Sequence, residues 1–290
     1  MTRLAFKAIN FRRKSRELLE LCGQIITTYM GEGFRLTLRQ LYYQLVSRNI
    51  ISNVERAYKN LGRLVSEGRL AGVLDWDGIE DRGRQPEIPA EWSDIRSVVD
   101  SAVEGFRLPR WEGQPYYVEL WVEKDALAGV LQPLGDEFHV TVMVNRGYSS
   151  QSAMFDSATR FRYATSNGLA PVILYLGDFD PSGEDMVRDI SDRLELFGVD
   201  IDLRTIAITE DQIAQYNPPP NPAKMTDSRA RKFVEKHGSN SYEVDALPPT
   251  ILQAVIREAL EDLVDQELMD EIIEREEDDK DRLRDAMEDL

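Results

Sequence analysis

One cysteine, two histidines and no long apolar run in 290 residues remove whole classes of protein. A lone Cys22 cannot build a disulfide framework and fits a reducing compartment, so a cytoplasmic location is the expectation. His139 and His237 have no Cys or His at ligand spacing, which removes the zinc-finger patterns. No run reaches the length of a membrane span, so no membrane partner is expected. The start, MTRLAFKAINFRRKSRE, carries basic residues but lacks the continuous apolar core of a secretory signal.

Positive charge is also scarce, with a formal net charge of −17, but it is unevenly spread. Residues 1–70 hold 13 Lys and Arg against 5 Asp and Glu, a formal +8. Residues 256–290 hold 5 against 16, a formal −11. An anionic polymer would meet the first third. Arg12, Arg13, Lys14, Arg35, Arg39, Arg48, Arg56, Lys59 and Arg63 are its candidate phosphate contacts. Solvation of amphipathic helices is the other use of the same residues.

What the sequence does have is acid at the ends of apolar runs. Residues 116–122 lead into Glu123 of WVEKDAL (121–127), and residues 172–176 lead into GDFDPSG (177–183) with Asp178 and Asp180. Both runs have the length of buried parallel strands, whose carboxyl ends form the ligand crevice of an open sheet. Three carboxylates meeting there, with no Cys or His pair, suit a hard cation such as Mg²⁺ and hence phosphate chemistry. With Phe179 extended, Asp178 and Asp180 share a face. Helix capping by Asp125, Asp178 or Ser182 is the alternative use of this polar cluster.

Residues 34–49, FRLTLRQLYYQLVSRN, place Leu38, Leu41, Tyr42, Leu45 and Val46 at helical spacing after Thr37, a good N-cap. Tyr43 falls beside that stripe, with Arg39 one turn before it. A tyrosine so placed can attack a phosphodiester while the cation offsets developing charge. Packing in a core or at its rim is what most such tyrosines do.

Taken together and in this order, RQLYY followed by VEKDAL, NRGYSS (Arg146–Ser150) and GDFDPSG resembles the A subunit of topoisomerase VI and its meiotic double-strand-break relatives. The resemblance spans about residues 34–247. It implies a winged-helix domain whose second tyrosine, Tyr43, attacks DNA beside Arg39. It also implies a Toprim domain whose Glu123, Asp178 and Asp180 hold Mg²⁺, and a homodimer in which each tyrosine meets the partner's metal site. Lys124 and Arg146 then join Arg35, Arg48, Arg56, Lys59 and Arg63 as candidate contacts to double-stranded DNA, and the location becomes nucleoid-associated. The pattern is that of stand-alone bacterial or mobile-element forms.

Two features depart from that family. Gln40 stands where an acid is usual in the tyrosine motif. No P-loop or other ATP-binding pattern is present, so strand passage would need a separate ATPase subunit. Three further readings stay open. Water can replace Tyr43, as in the Toprim nuclease subunit of the Wadjet plasmid-defence complexes; Asp178 can serve a small-molecule phosphatase; or the chain binds DNA without turnover.

The expected fold is α/β: a winged-helix unit over residues 1–84, a connection over 85–115, a Toprim unit with a mostly parallel sheet over 116–250, and an amphipathic helix with an acidic tail over 251–290. Within the first unit, helices are expected over 6–29 and 53–70, the latter as a recognition helix, with a wing strand over 71–76. The run DWDGIEDRGR (75–84) reads as a salt-bridged turn or an element orienting the site. A helix from Ser182 to Gly198, a strand over 202–208 and an ordered loop or hinge at YNPPPNP (216–222) complete the reading. Lys224, Arg229 and Arg231 beyond that loop are further candidates to meet DNA or a dimer partner.

Overall fold

The computed structural model describes residues 3–80, 89–145, 147–222 and 229–287. Arg146, Lys224 and the Asp81–Arg84 part of the acidic–basic run lie outside the described residues.

Three helices form the N-terminal unit. Helix α1 (Arg13–Gly31) buries Leu19, Cys22, Ile25, Ile26 and Tyr29 on one stripe. Helix α2 (Leu38–Ser47) begins in a capping box: the Thr37 hydroxyl accepts from Gln40 N, and the Gln40 side chain accepts from Thr37 N at 2.8 Å. Gln40 therefore does structural work at the position where the resembling family has an acid. Helix α3 (Glu55–Leu70) closes the unit over Leu61 and Val65. Residues 6–12 are not helical as expected, because Phe6 N and Lys7 N donate to Leu70 O at the end of α3. The wing strand expected over 71–76 does not form. Ala71 makes a single antiparallel bridge to Ala5, and Gly72 then turns the chain with a φ of +71°.

The second unit is a four-stranded, all-parallel sheet in the order β2-β1-β3-β4: β1 (Tyr116–Val122), β2 (Thr141–Val144), β3 (Ala170–Leu176) and β4 (Asp202–Ala207). Alternation along β1 and β3 divides the core. Val118, Leu120, Val122, Val172, Leu174 and Leu176 face α5 (Ala128–Phe138) and α10 (Pro249–Glu261). Trp121, Ile173 and Tyr175 face α6 (Gln151–Ser166) and α7 (Pro181–Leu196). The chain leaves β1 for β2 on one side and returns past it to β3 on the other. The switch point of the sheet therefore lies between β1 and β3. Register pairs Val122 with Leu176, so Glu123 and Gly177–Asp180 emerge side by side.

Smaller elements bind the units together. Helix α4 (Ile95–Gly105), capped by Asp94, occupies the expected connection. After β4, α8 (Glu210–Tyr216) leads into the proline loop, where Pro218 and Pro219 are buried. Asn221–Pro222 (β5) pairs with Asn240–Ser241 (β6), and α9 (Ala230–His237) lies between them. A 3₁₀ turn, Val244–Ala246, packs against α2 and sends Ala246 into the N-terminal core. The C-terminal segment is two helices rather than one: α10, then α11 (Gln266–Met287). The break is built by Asp265, whose carboxylate accepts from Glu267 N and Leu268 N while the Gln114 amide brackets its backbone. The acidic run is helical and most of its acids are exposed, but it is anchored at two positions. Glu276 and Lys280 are buried, Glu276 accepting from Leu108 N, Arg110 and Lys280. Among the described residues no helix is long and apolar enough to cross a membrane.

Candidate active site

The sharpest juxtaposition in the molecule lies where α2 meets the switch point. Arg39 and Tyr43, one turn apart on α2, line a cleft of about 600 Å³ together with Asp178, Asp180, Asn221, Tyr242 and Glu243. All come from one chain, whereas the family resemblance implies a tyrosine facing its partner's acids. Phe179 and Tyr242 exchange backbone hydrogen bonds of 2.8 and 2.9 Å, an antiparallel bridge that keeps Phe179 extended between the two aspartates. The bridge also sets a second acid pair, Glu243 and Asp245, beside the first.

Each carboxylate has a distinct set of partners. Glu123 Oε2 accepts a long bond, 3.3 Å, from Asp178 N. Asp178 Oδ1 accepts from Val244 N at 2.9 Å and lies 2.7 Å from Lys124 Nζ. Asp180 is the N-cap of α7, accepting from Gly183 N at 2.7 Å and from the Ser182 hydroxyl at 2.8 Å. The cap role that the sequence offered to Asp125, Asp178 or Ser182 thus falls to Asp180. Gly183 is required there, since a Cβ would stand 2.0 Å from Asp178 O.

Cations and phenols complete the cleft. Arg39 pairs with Glu243 and places Nε 3.0 Å from Asp245 Oδ2, close but outside hydrogen-bond geometry. Lys124 Nζ lies 2.9 Å from Glu243 and 3.0 Å from Asp245. Tyr43 is only 3% exposed, inside the apolar core rather than beside it, with its hydroxyl 3.5 Å from Asn221 Nδ2 and its ring 5.9 Å from the Arg39 guanidinium. The Tyr42 ring lies edge-on to those of Tyr43 and Tyr58, and its hydroxyl donates to Asn53. Asn53 in turn donates to Pro220 O and Asn221, which fastens the proline loop to the N-terminal unit.

Burial, and then the charge of Asp178, push the Glu123 carboxyl up to about 7. Burial raises Asp178 as well, outweighing Lys124. Burial works against the charge of Lys124, but Asp245 and Asp178 prevail and keep it protonated. Tyr43 is raised by burial and by Asp245, against Asn221, Arg39 and Lys124, so the phenol is neutral at rest.

Glu123, Asp178 and Asp180 offer an all-oxygen donor set, and the carboxyls of the first two are raised first by burial, with neighbouring carboxylates adding to it. Both properties fit Mg²⁺. Among the described residues, however, no three His, Cys, Asp or Glu side chains already converge as metal ligands. Binding would need Asp178 or Asp180 to turn from its present partners.

The DNA-contact candidates divide. Arg35, Arg48, Arg56, Lys59 and Arg63 are exposed. Arg56, Lys59 and Arg63 follow one stripe of α3, where Lys59 pairs with Glu55 at 2.7 Å. Lys124 faces the cleft acids instead. Arg229 binds Asp185, and Arg231 pairs with Glu235. His237, far from Tyr43 in sequence and role, sits between Glu184 and Glu210.

Sequence reading missed Glu243, Asp245 and Asn221. A signal existed, since EVD repeats the one-residue acid spacing of DFD, but only the Phe179–Tyr242 bridge brings the two pairs together. No protein-family model matches the chain, and no curated protein matches it in sequence.

Proposed function

We propose that the chain cleaves DNA by transesterification through Tyr43, in the manner of a type IIB topoisomerase A subunit, with a winged-helix unit beside a Toprim unit and two chains acting as a dimer. One observation carries the reading: Arg39 and Tyr43 on one face of α2 share a cleft with Asp178 and Asp180 at the switch point of the sheet.

The Tyr43 oxygen attacks phosphorus and the bond to the 3′-oxygen breaks, leaving a 5′-phosphotyrosyl link and a 3′-hydroxyl. The proton given up by the phenol is balanced by the one the 3′-oxygen gains. Arg39, already one turn from the phenol, offsets charge on the phosphorane. Glu123, Asp178 and Asp180 would hold Mg²⁺, which supplies neutralisation and alignment of the phosphate when bound. Exposed Arg56 and Arg63 on α3 bind the backbone of the duplex.

A second reading, hydrolysis by water on the same carboxylates, is favoured by the burial of Tyr43, which is only 3% exposed. Labelled supercoiled DNA with Mg²⁺, analysed with and without protease, separates the two. Protein-linked ends that vanish in Tyr43→Phe and in Asp178→Ala are expected. Free ends from Tyr43→Phe, absent in Asp178→Ala, would replace transesterification with hydrolysis.

A further inference from the structure

Lys124 leaves the sheet one residue after Glu123 and turns into the cleft rather than toward solvent. Its ammonium stands 2.7 Å from Asp178 Oδ1, 2.9 Å from Glu243 Oε2 and 3.0 Å from Asp245 Oδ1. An ammonium has three N–H donors, and these three carboxylates use them all. Asp245 is fully buried, with its other oxygen against Arg39. The second acid pair is therefore neutralised from within the chain. Glu123 and Asp180 differ. Among the described residues, Glu123 Oε1 and Asp180 Oδ2 accept no hydrogen bond, while Glu123 Oε2 accepts only the 3.3 Å contact.

We infer that Lys124 is a built-in cation, holding the place between Asp178 and the Glu243–Asp245 pair that a second divalent ion would take. The chain then binds one divalent ion, on the Glu123 and Asp180 side of Asp178. This rests on the metal reading proposed above.

The geometry supports the division of labour. Magnesium draws oxygens to about 2.0–2.1 Å in a near-octahedral shell, whereas the carboxylates around Lys124 stand at ammonium distances. A tethered amine cannot be lost by dilution, so Lys124 together with Arg39 balances two of these carboxylates before any ion arrives. Apart from Glu55, which pairs with Lys59, five carboxyl groups face the cleft or its floor against the two cations Arg39 and Lys124. That excess accommodates one divalent ion, and removal of Lys124 makes room for another.

The test counts ions. Mn²⁺ is titrated into full-length protein at about pH 8, above the Glu123 value, and free Mn²⁺ is followed by electron paramagnetic resonance. Wild type should bind one Mn²⁺ per chain, Lys124→Arg one, and Lys124→Met two, with folding checked by circular dichroism. Two ions in wild type, or one in a folded Lys124→Met, would overturn the inference. If Lys124→Met does not fold, Lys124→Gln, which removes the charge but keeps a polar side chain among the carboxylates, takes its place and should bind two. No Mn²⁺ bound by wild type would instead remove the metal reading itself, and this inference with it.

Discussion

At the scale of single residues, Glu123 sets the pH behaviour of the site. Its carboxyl lies well above its ordinary value of 4.5, at about 7, because burial and the neighbouring Asp178 oppose its charge. Between those values the folded chain keeps a proton that the unfolded chain has lost, so the metal-free fold loses stability as pH rises through that window. A divalent ion replaces the proton. Mg²⁺ should therefore raise the thermal midpoint more at about pH 8 than at about pH 6, and Glu123→Gln should reduce both the pH dependence and the Mg²⁺ response, leaving the part that the raised Asp178 carboxyl contributes. An equal rise at both pH values would take Glu123 out of the ion site.

At the scale of elements, Asp180 combines two roles that substitution can separate. Asn caps a helix as well as Asp does, so Asp180→Asn should leave the unfolding free energy nearly unchanged while weakening Mg²⁺ binding. Asp180→Ala should weaken binding and also lose about 1 kcal/mol of stability from α7. Equal Mg²⁺ binding by wild type and Asp180→Asn would confine Asp180 to capping. Helix α11 offers a contrasting test far from the cleft. Glu276 is buried; its burial is outweighed by Arg110, Lys280 and Leu108 N, which hold its carboxyl down at about 2. Its stabilisation is complete above its ordinary value of 4.5 and is lost as pH falls toward about 2. Glu276→Gln should cost about 3 kcal/mol in denaturant unfolding at neutral pH and almost nothing near about pH 2. The contrast between the two helices shows which elements could be read from sequence. Helix α2 declares itself through Thr37, strand β3 through its apolar run, and strand β1 through one that only Glu119 interrupts. The gap between α10 and α11 has a local signal in Asp265, which accepts from Glu267 N and Leu268 N, and a distant one in the Gln114 side chain, about 150 residues away in sequence, which no local pattern encodes. Likewise Glu119, inside an apolar strand, is buried only because Arg160, Tyr117 and Trp121 satisfy it.

At the scale of the whole molecule, the α/β organisation and the three switch-point acids were legible because strand ends are local features. The second acid pair was not, since Glu243 and Asp245 reach the cleft through the Phe179–Tyr242 bridge. Nor was the burial of Tyr43, which follows from packing of the Val244–Ala246 turn against α2. That packing brings Tyr43, Asp178, Asp180 and Glu243 of a single chain to one cleft. One tyrosine breaks one strand, so a double-strand break still needs two chains, but each should carry a complete site. The decisive measurement mixes Tyr43→Phe and Asp178→Ala chains, reforms dimers and scores nicking of supercoiled DNA with Mg²⁺ against wild type. If each site is built from one chain, both protomers of a mixed dimer are dead and no protein-linked nick appears. Nicks restored in the mixture, covalently attached to the Asp178→Ala chain, would show that Tyr43 works on its partner's carboxylates and would contradict the in-chain site.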